Sequence, residues 1–387
     1  MPGPDQAHAV LALNCGSSSL KFAVFHVGAM GAQALVEGEA EAIGTPHARF
    51  SVRLQGSDPV ADPSPIADHR QAAERVFALL EANTAFTPTA IGHRIVHGGP
   101  AVRRHCLIDP PVLEALDAAG VFAPLHTPAA LEVVRLAQAR FAELPHVACL
   151  DTAFHRGLPE VARRLPMPAV LQAEGVQRYG FHGLSCESVL RQLGPTPPDR
   201  VVIAHLGSGS SVTAVKAGQS VDTSMGLTPS GGVMMATRSG DLDPGLLVYL
   251  IREHGLDAAG LERMIDREAG MLGVSGLSGD VRQLRAAQGD PDARLALRMF
   301  AYSVRKQIAA MAGALEGLDL LVFTGGIGEN DAQTRLEICQ ALSWLGIETA
   351  DAGRAPRRPD QPEVRVLPAR EEEQIALLTA AIAHADA

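Results

Sequence analysis

Two segments of this chain set a Gly/Ser turn between apolar flanks, a combination suited to holding phosphate. The first, Val10–Phe25, carries Asn14, Gly16, Ser17, Ser18, Ser19 and Lys21; the second, Val201–Val215, carries His205, Leu206, Gly207, Ser208, Gly209, Ser210 and Ser211. Such turns crowd backbone N–H groups and hydroxyls into a small concave space that fits phosphate oxygens. One copy alone reads equally well as an ordinary hairpin. Two copies, each opening one half of the chain, imply a duplicated fold that grips one polyphosphate between its halves.

Charged residues that could act on such a ligand lie elsewhere in the chain. Arg94 sits in Gly92-His-Arg-Ile-Val-His-Gly-Gly99 and Arg238 in Thr237-Arg-Ser-Gly-Asp-Leu-Asp-Pro-Gly245. A guanidinium meets carboxylate or phosphate oxygens with two parallel donors, so both arginines suit an anion clamp; the plainer role for Arg94 is a surface charge. Asp151 ends the apolar run His146–Leu150, where a carboxylate is costly unless paired or near a metal; its plainer role is a helix N-cap. His93 and His97 are four apart, but no Cys or carboxylate stands at ligand spacing, which favours hydrogen bonding over metal. Thr324-Gly-Gly-Ile-Gly-Glu-Asn330 lacks the G-x-G-x-x-G spacing, and a base or ribose resting on its glycines near a helix start fits better. There is no Gly-Lys-Ser/Thr loop, no H-E-x-x-H and no G-x-S-x-G.

The elements that must position these residues follow from hydrophobic periodicity. The first half reads as strands Ala9–Leu13, Lys21–Val27, Gln33–Glu39 and Arg49–Leu54, a loop from Gln55 to Asp68, and a helix over Ala72–Ala82. A strand entering a glycine turn spans Ile91–Gly99. Helices follow over Pro111–Ala119 and Pro128–Arg140, then a buried strand His146–Leu150. The second half opens with strands Val201–Leu206, Ser211–Lys216 and a segment near Ser220–Thr223. It continues with helices Pro244–His254, Ala258–Glu268, Asp280–Gln288 and Pro291–Glu316, a strand Leu318–Phe323 and a helix Ala332–Leu345. In Pro291–Glu316, Leu297, Phe300, Val304, Ile308, Met311 and Leu315 form one stripe, read as core or a subunit seam. An apolar-faced helix, Glu371–His384, closes the chain. Strand clusters followed by helix and strand, stated twice, give two α/β domains with mixed sheets.

At 387 residues two domains are expected, and 47% apolar against 20% charged residues excludes a disordered chain. The net charge of -10 argues against nucleic acid or an anionic membrane as partner. Five scattered cysteines form no C-x-x-C pair, so neither a disulfide framework nor a zinc ribbon is indicated. Met1–His8 lacks the features of a signal peptide, and no apolar run is long enough to span a bilayer. These features together read as a soluble cytoplasmic protein.

Seven motifs in order carry a specific resemblance. Asn14–Lys21, Gly92–Gly99, Asp151-Thr-Ala-Phe-His155 and Arg178-Tyr-Gly-Phe-His-Gly-Leu-Ser185 are followed by His205–Ser211, Thr237–Gly245 and Phe323–Asn330. From about Val10 to the last helix the chain resembles the acetokinase family, which holds acetate, propionate and butyrate kinases. The resemblance implies the duplicated two-domain fold of the acetate and sugar kinase, Hsp70 and actin superfamily: α/β, mixed sheets flanked by helices, and an interdomain cleft. It places an N-terminal acetokinase domain at residues 1–150 plus 371–387, and a C-terminal nucleotide-binding and dimerisation domain at residues 151–370.

The activity implied is reversible, direct in-line transfer of the ATP γ-phosphate to acetate, giving acetyl phosphate and ADP. Magnesium is the metal, with manganese as a substitute. Propionate or another short-chain carboxylate is the alternative acceptor, and a catalytically inactive nucleotide-binding regulator is the third reading. By resemblance, Asp151, His182 and Arg238 are catalytic, and Asn14 and Glu371 hold the metal, although Glu371-Glu-Glu373 offers three candidates. Arg94 contacts the substrate carboxylate, and Val96, Leu125, Phe181 and Pro229 line the acyl pocket. ATP contacts fall on Ser17, Ser19 and Lys21, on His205, Leu206, Gly207, Ser208 and Gly209, on Asp280, Val281 and Arg282, and on Gly326, Ile327, Gly328, Glu329 and Asn330. A helix N-cap is the equal alternative for Asp280. A homodimer is also implied, with Pro291–Glu316 as part of its seam.

Three positions depart from the family's pattern. Cys186 stands where a second histidine is common, Ser208 replaces an asparagine, and Val281 replaces an aromatic or larger residue. Ser208 keeps a hydroxyl for phosphate and loses an amide, while Val281 weakens stacking on adenine. Cys186 reads as a buried inert thiol.

Overall fold

Six consecutive residues of the first apolar run, Val10–Cys15, are buried, as a central strand covered on both faces requires. The computed structural model describes residues 8–29, 31–347 and 361–384; residues 1–7, which bear on the leader reading, lie outside these. The chain divides into two units, Met1–Arg156 with Arg370–Ala387, and Gly157–Ala369. The Asp151 amide donates to the Ile95 carbonyl at 3.0 Å, so the residue just past Leu150 is tied to the first unit.

In the first unit the strands are β1 (His8–Cys15), β2 (Leu20–Gly28), β3 (Gly31–Glu41), β4 (Arg49–Leu54), β5 (Val60–Asp62), β6 (Ala90–Ile95), β7 (Cys106–Leu107) and β8 (His146–Leu150). They form one sheet in the order β5-β4-β3-β2-β1-β6-β8-β7. β1 pairs antiparallel with β2 and parallel with β6, and β6 pairs parallel with β8. The short β5 lies in the expected Gln55–Asp68 loop; it is fully exposed at the sheet edge and so shows no burial alternation. Helices His69–Glu81 and Thr127–Arg140 bury Val76, Phe77, Leu80, Leu131, Val133 and Val134 in this unit's core. The C-terminal helix Glu371–Ala383 packs on β1, β2, β6 and β8.

In the second unit the strands are β9 (Arg200–Leu206), β10 (Ser210–Lys216), β11 (Gln219–Thr223), β12 (Leu320–Thr324) and β13 (Glu363–Val366), in the order β11-β10-β9-β12-β13. Again the first strand is antiparallel to the second and parallel to a later one. The order β3-β2-β1-β6-β8 and the order β11-β10-β9-β12-β13 are therefore one topology used twice. The repeat seen in the turns extends to whole sheets.

Helix Pro291–Ala314 starts on an Asp290 N-cap and packs on β9, β10 and helix Gly270–Ser275. Its stripe Leu297, Phe300, Val304, Ile308, Met311 and Leu315 is buried in the second unit's own core, so the stripe is core and not a subunit seam. One further expectation is corrected and one is made more definite. The span Ala258–Glu268 is a helix only to Arg263, then a π-helical turn over Met264–Glu268. The helix start expected near the Thr324–Asn330 glycines falls at Gly325, so Gly325–Asn330 is itself a short helix ahead of Ala332–Gln340. Helix Gly183–Leu193 and strand β13 gave no sequence signal: the helix opens on Gly and Ser, and β13 is a short edge strand half open to solvent. Among the described residues no helix is long and apolar enough to cross a membrane.

Candidate active site

Asn14, Arg94 and Asp151 stand at or just beyond the carboxyl ends of three adjacent parallel strands, where open α/β sheets expose backbone and side chains to ligands. The parallel register sets Leu13 beside His93 and Ile95 beside Leu150, which brings the three side chains to one edge. Arg94 donates from Nε and Nη2 to Asp151 Oδ2 at 3.0 and 2.7 Å, and from Nη1 to Asn14 Oδ1 at 3.0 Å. The Asn14 amide in turn donates to Glu371 Oε2 at 3.0 Å and Glu372 Oε1 at 2.8 Å. Five residues, from two strands, the C-terminal helix and the turn after β8, thus share one chain of hydrogen bonds. Arg94 is no surface arginine, since its side chain is 17% exposed and paired.

Asp151 is 1% exposed, and its Oδ1 is buried without a hydrogen-bond partner among the described residues. Burial pushes its carboxyl up to about 6, with Arg94 pulling the other way and Glu371 adding to the rise. Burial disfavours the Arg94 charge, but Asp151 and Glu371 outweigh it and hold the guanidinium above its usual range. Cys15, next to Asn14, is pushed up to about 12 by burial and stays a neutral thiol. Lys21 lies opposite Asn14 on β2; burial works against its charge, yet Glu372 and Glu39 raise it.

The donor set fits a hard divalent cation. Glu371 and Glu372 supply carboxylate oxygens and the unpartnered Asp151 Oδ1 lies in the same chain, while Asn14 turns its amide nitrogen to the two carboxylates and its oxygen to Arg94. Magnesium uses a few protein oxygens and completes its shell with water and phosphate. Glu371 and Glu372 both reach Asn14, whereas Glu373 pairs with Arg370 at 3.6 Å. Glu372 is the residue that spacing alone did not select. Arg370, which aims this helix start, sits in the left-handed region at φ 45°.

Hairpin β1–β2 closes through Gly16 N–H on the Ser19 carbonyl at 2.8 Å, leaving Ser17 exposed and Ser19 half-buried. His93 and His97 do not face a common ligand. His93 is bonded to His146 at 3.0 Å, and burial holds both rings below the ordinary histidine range. His97 accepts from the Gly99 N–H at 2.9 Å and stacks on Phe122.

The second unit holds its own polar group. His182 and His205 stack with centroids 4.2 Å apart. His182 Nδ1 is 3.0 Å from Ser211 Oγ, and His205 Nδ1 is 2.8 Å from Ser185 Oγ. His182 adopts φ 57° at the start of helix Gly183–Leu193, a conformation uncommon outside glycine and frequent at functional sites. A Cβ on Gly209 would lie 3.2 Å from Arg238 Nη1 and 3.3 Å from His182 Nε2, so this glycine keeps the turn open beside both. The Ser208 carbonyl accepts from the Ala236 N–H at 3.2 Å, which ties the turn to the Arg238 loop. Ser185 and Ser211 lay inside quoted motifs, but only the fold shows which ring each one holds.

The remaining expected nucleotide contacts divide by role. Asp280 caps helix Val281–Ala286 through the Arg282 N–H at 2.8 Å, while Arg282 is 91% exposed and bidentate on Asp280. Val281 is buried in the core, so its side chain offers no stacking face. Leu206 is core, Gly207 and Ser208 form the turn, and Cys186 is fully buried. Gly326 faces open space; Ile327 and Gly328 pack in the short helix. Glu329 accepts from the Gly325 and Ala369 amides, and Asn330 donates to the Gly326 carbonyl. Of the residues expected from the resemblance to line an acyl pocket, Val96 and Leu125 fall in the first unit and Phe181 and Pro229 in the second.

Residues 9–377 match the sequence profile of the acetokinase family. The chain belongs to the acetokinase family. It is 43% identical over 391 residues to an acetate kinase of Deinococcus radiodurans, covering 96% of this chain and 97% of that one. It is 41% identical over 354 residues to an acetate kinase of Nitrobacter hamburgensis, covering 88% and 86%. Among solved structures, a propionate kinase from Francisella tularensis superposes with a TM-score of 0.87 at 35% identity, and a Porphyromonas gingivalis acetate kinase with 0.83 at 35%; each covers 97% of this chain and 100% of its own. The duplicated mixed α/β sheets of this acetokinase are thus those of the carboxylate kinases.

Proposed function

We propose that this acetokinase is an acetate kinase, transferring the γ-phosphate of ATP to acetate to give acetyl phosphate and ADP, reversibly and in line. The observation that carries this reading is the Arg94 guanidinium, bonded at once to Asp151 and Asn14 on one sheet edge. Acetate is already ionised near pH 7, so the reaction needs positioning and charge neutralisation more than a base. Arg94 binds the substrate carboxylate, and Asp151 holds and orients that guanidinium. Asn14 and Glu371, with Glu372 beside them, hold the metal. Magnesium, when bound, neutralises phosphate charge. Arg238 and His182 stabilise the transferring phosphoryl group, because donors fixed beforehand need no reorganisation as charge develops. The Gly207–Gly209 turn, His205, Lys21, Ser17, Ser19, Asp280, Arg282 and Gly326–Asn330 serve the nucleotide.

Propionate is the second acceptor reading, favoured by the likeness to the F. tularensis propionate kinase. A pocket separates acids differing by one methylene by only ~1–3 kcal/mol. We assign the first unit as the acetokinase domain and the second to nucleotide binding and dimerisation. The exposed Leu246, Val248, Tyr249 and Ile251 of helix Pro244–His254, with Leu295, Met299 and Tyr302 of Pro291–Ala314, support a homodimer seam. Five free cysteines support a cytoplasmic location.

Hydroxamate trapping with ATP and Mg²⁺ tests the reading. Acetyl hydroxamate is expected with acetate at the highest kcat/KM among acetate, propionate and butyrate. Preference for propionate would shift the acceptor, and no acyl phosphate from any acid would leave only a nucleotide-binding protein.

A further inference from the structure

Arg238 lies on a loop outside any helix or strand, between β11 and helix Pro244–His254, so its aim must be set from outside. The π-helical turn Met264–Glu268 lies against that loop. Its altered register frees backbone groups from the i→i−4 pattern, and such turns gather at functional sites. Thr237 Oγ1 donates to the Asp266 carbonyl at 2.8 Å, the Ser239 N–H to the Ile265 carbonyl at 2.9 Å, and the Ala269 N–H to the Thr237 carbonyl at 3.1 Å. Both neighbours of Arg238 are therefore bonded to the turn.

The side chain of Asp266 reaches a second anchor. Ser230 Oγ donates to Asp266 Oδ1 at 2.5 Å, and Ser230 follows Pro229, whose carbonyl accepts from Arg238 Nη1 at 3.2 Å. One residue thus holds Arg238 from two directions, by its carbonyl through Thr237 and by its carboxylate through Ser230 and Pro229.

We propose that Asp266 is a positioning residue for Arg238, fixing the guanidinium for transition-state contact by clamping the Arg238 loop and the Pro229–Ser230 segment to one π turn. This deepens the phosphotransfer role given to Arg238 and rests on it. Asp266 touches no reacting atom, so its loss acts through Arg238 and the Pro229–Ser230 segment rather than through nucleotide binding.

The test uses the full-length enzyme with Asp266→Ala, Asp266→Asn and Ser230→Ala. Misplacing a catalytic group by about an ångström costs about a hundredfold, so Asp266→Ala and Ser230→Ala are expected to lower kcat by about ten- to a hundredfold, with KM for ATP within about twofold. Asp266→Asn keeps an acceptor oxygen for Ser230 and should restore kcat to within about threefold of the parent. Hydrogen exchange of the peptide covering residues 228–241 should quicken in Asp266→Ala and not in Asp266→Asn. Unchanged kcat in Asp266→Ala, equal losses in the Ala and Asn variants, or unchanged exchange would each overturn the proposal. If the parent makes no acyl phosphate, the phosphotransfer reading fails instead, and the exchange experiment still decides whether Asp266 holds the loop.

Discussion

At Asp151 a buried carboxylate and a buried guanidinium neutralise each other, and either charge left alone there would cost stability. One carboxylate oxygen takes two Arg94 donors while the other has no partner among the described residues, an exception to the rule that buried polar atoms are hydrogen-bonded. Asp151→Asn retains the shape and removes the charge. It is expected to lower kcat by about 10²–10³-fold with an unchanged circular dichroism spectrum, as removing a fixed electrostatic partner does. The same group sets an acid limb. The ionised form grips Arg94, so kcat/KM of the parent should fall as pH drops through about 6 and Asp151 takes up a proton. The residual rate of Asp151→Asn should show no such limb; a parent rate flat to pH 5 would contradict the assignment.

At the scale of elements, the C-terminal helix matters because it delivers Glu371 and Glu372 to Asn14 across the whole length of the chain. Its seat depends on Gly92 of β6, where an added Cβ would lie 2.1 Å from Thr379 Oγ1 and 2.6 Å from Ile375 Cγ2. Gly92→Ala overpacks that contact at a cost of ~1–3 kcal/mol. The expected outcome is a melting temperature lower by several degrees and a raised Mg²⁺ requirement, partly restored by Thr379→Ala in the same chain. An unchanged Mg²⁺ dependence would detach the helix from the metal role. Gly92 stood in a motif quoted for its arginine and histidines; that its own lack of a side chain seats a helix was not legible, because Thr379 is remote in sequence.

For the whole molecule, the second unit leaves a run of apolar side chains open, with Tyr249 52% and Ile251 50% exposed on one helix. A contiguous exposed apolar surface marks an interaction site, and a second copy is the proposed occupant. Light scattering on the eluted protein should give about twice the 40.6 kDa chain mass, and Ile251→Glu should return it to one chain. A parent mass of a single chain would overturn the dimer. Sequence periodicity placed the buried stripe of Pro291–Ala314 correctly along the helix and left open what covers it. Its cover is the unit's own sheet, and the opposite face is the exposed one.

The amino-acid sequence by itself determined the α/β class, the duplication, the main strands and helices, and the motifs bearing Asn14, Arg94, Asp151, His182, His205 and Arg238. These are local signals: apolar period, turn composition and short motifs. Only the tertiary structure decided which groups meet: Glu372 beside Glu371 on Asn14, His182 stacked on His205, Val281 turned into the core, and Asp266 behind Arg238. Each of those contacts joins residues far apart along the chain, and sheet register and helix packing, not spacing, bring them within hydrogen-bond reach.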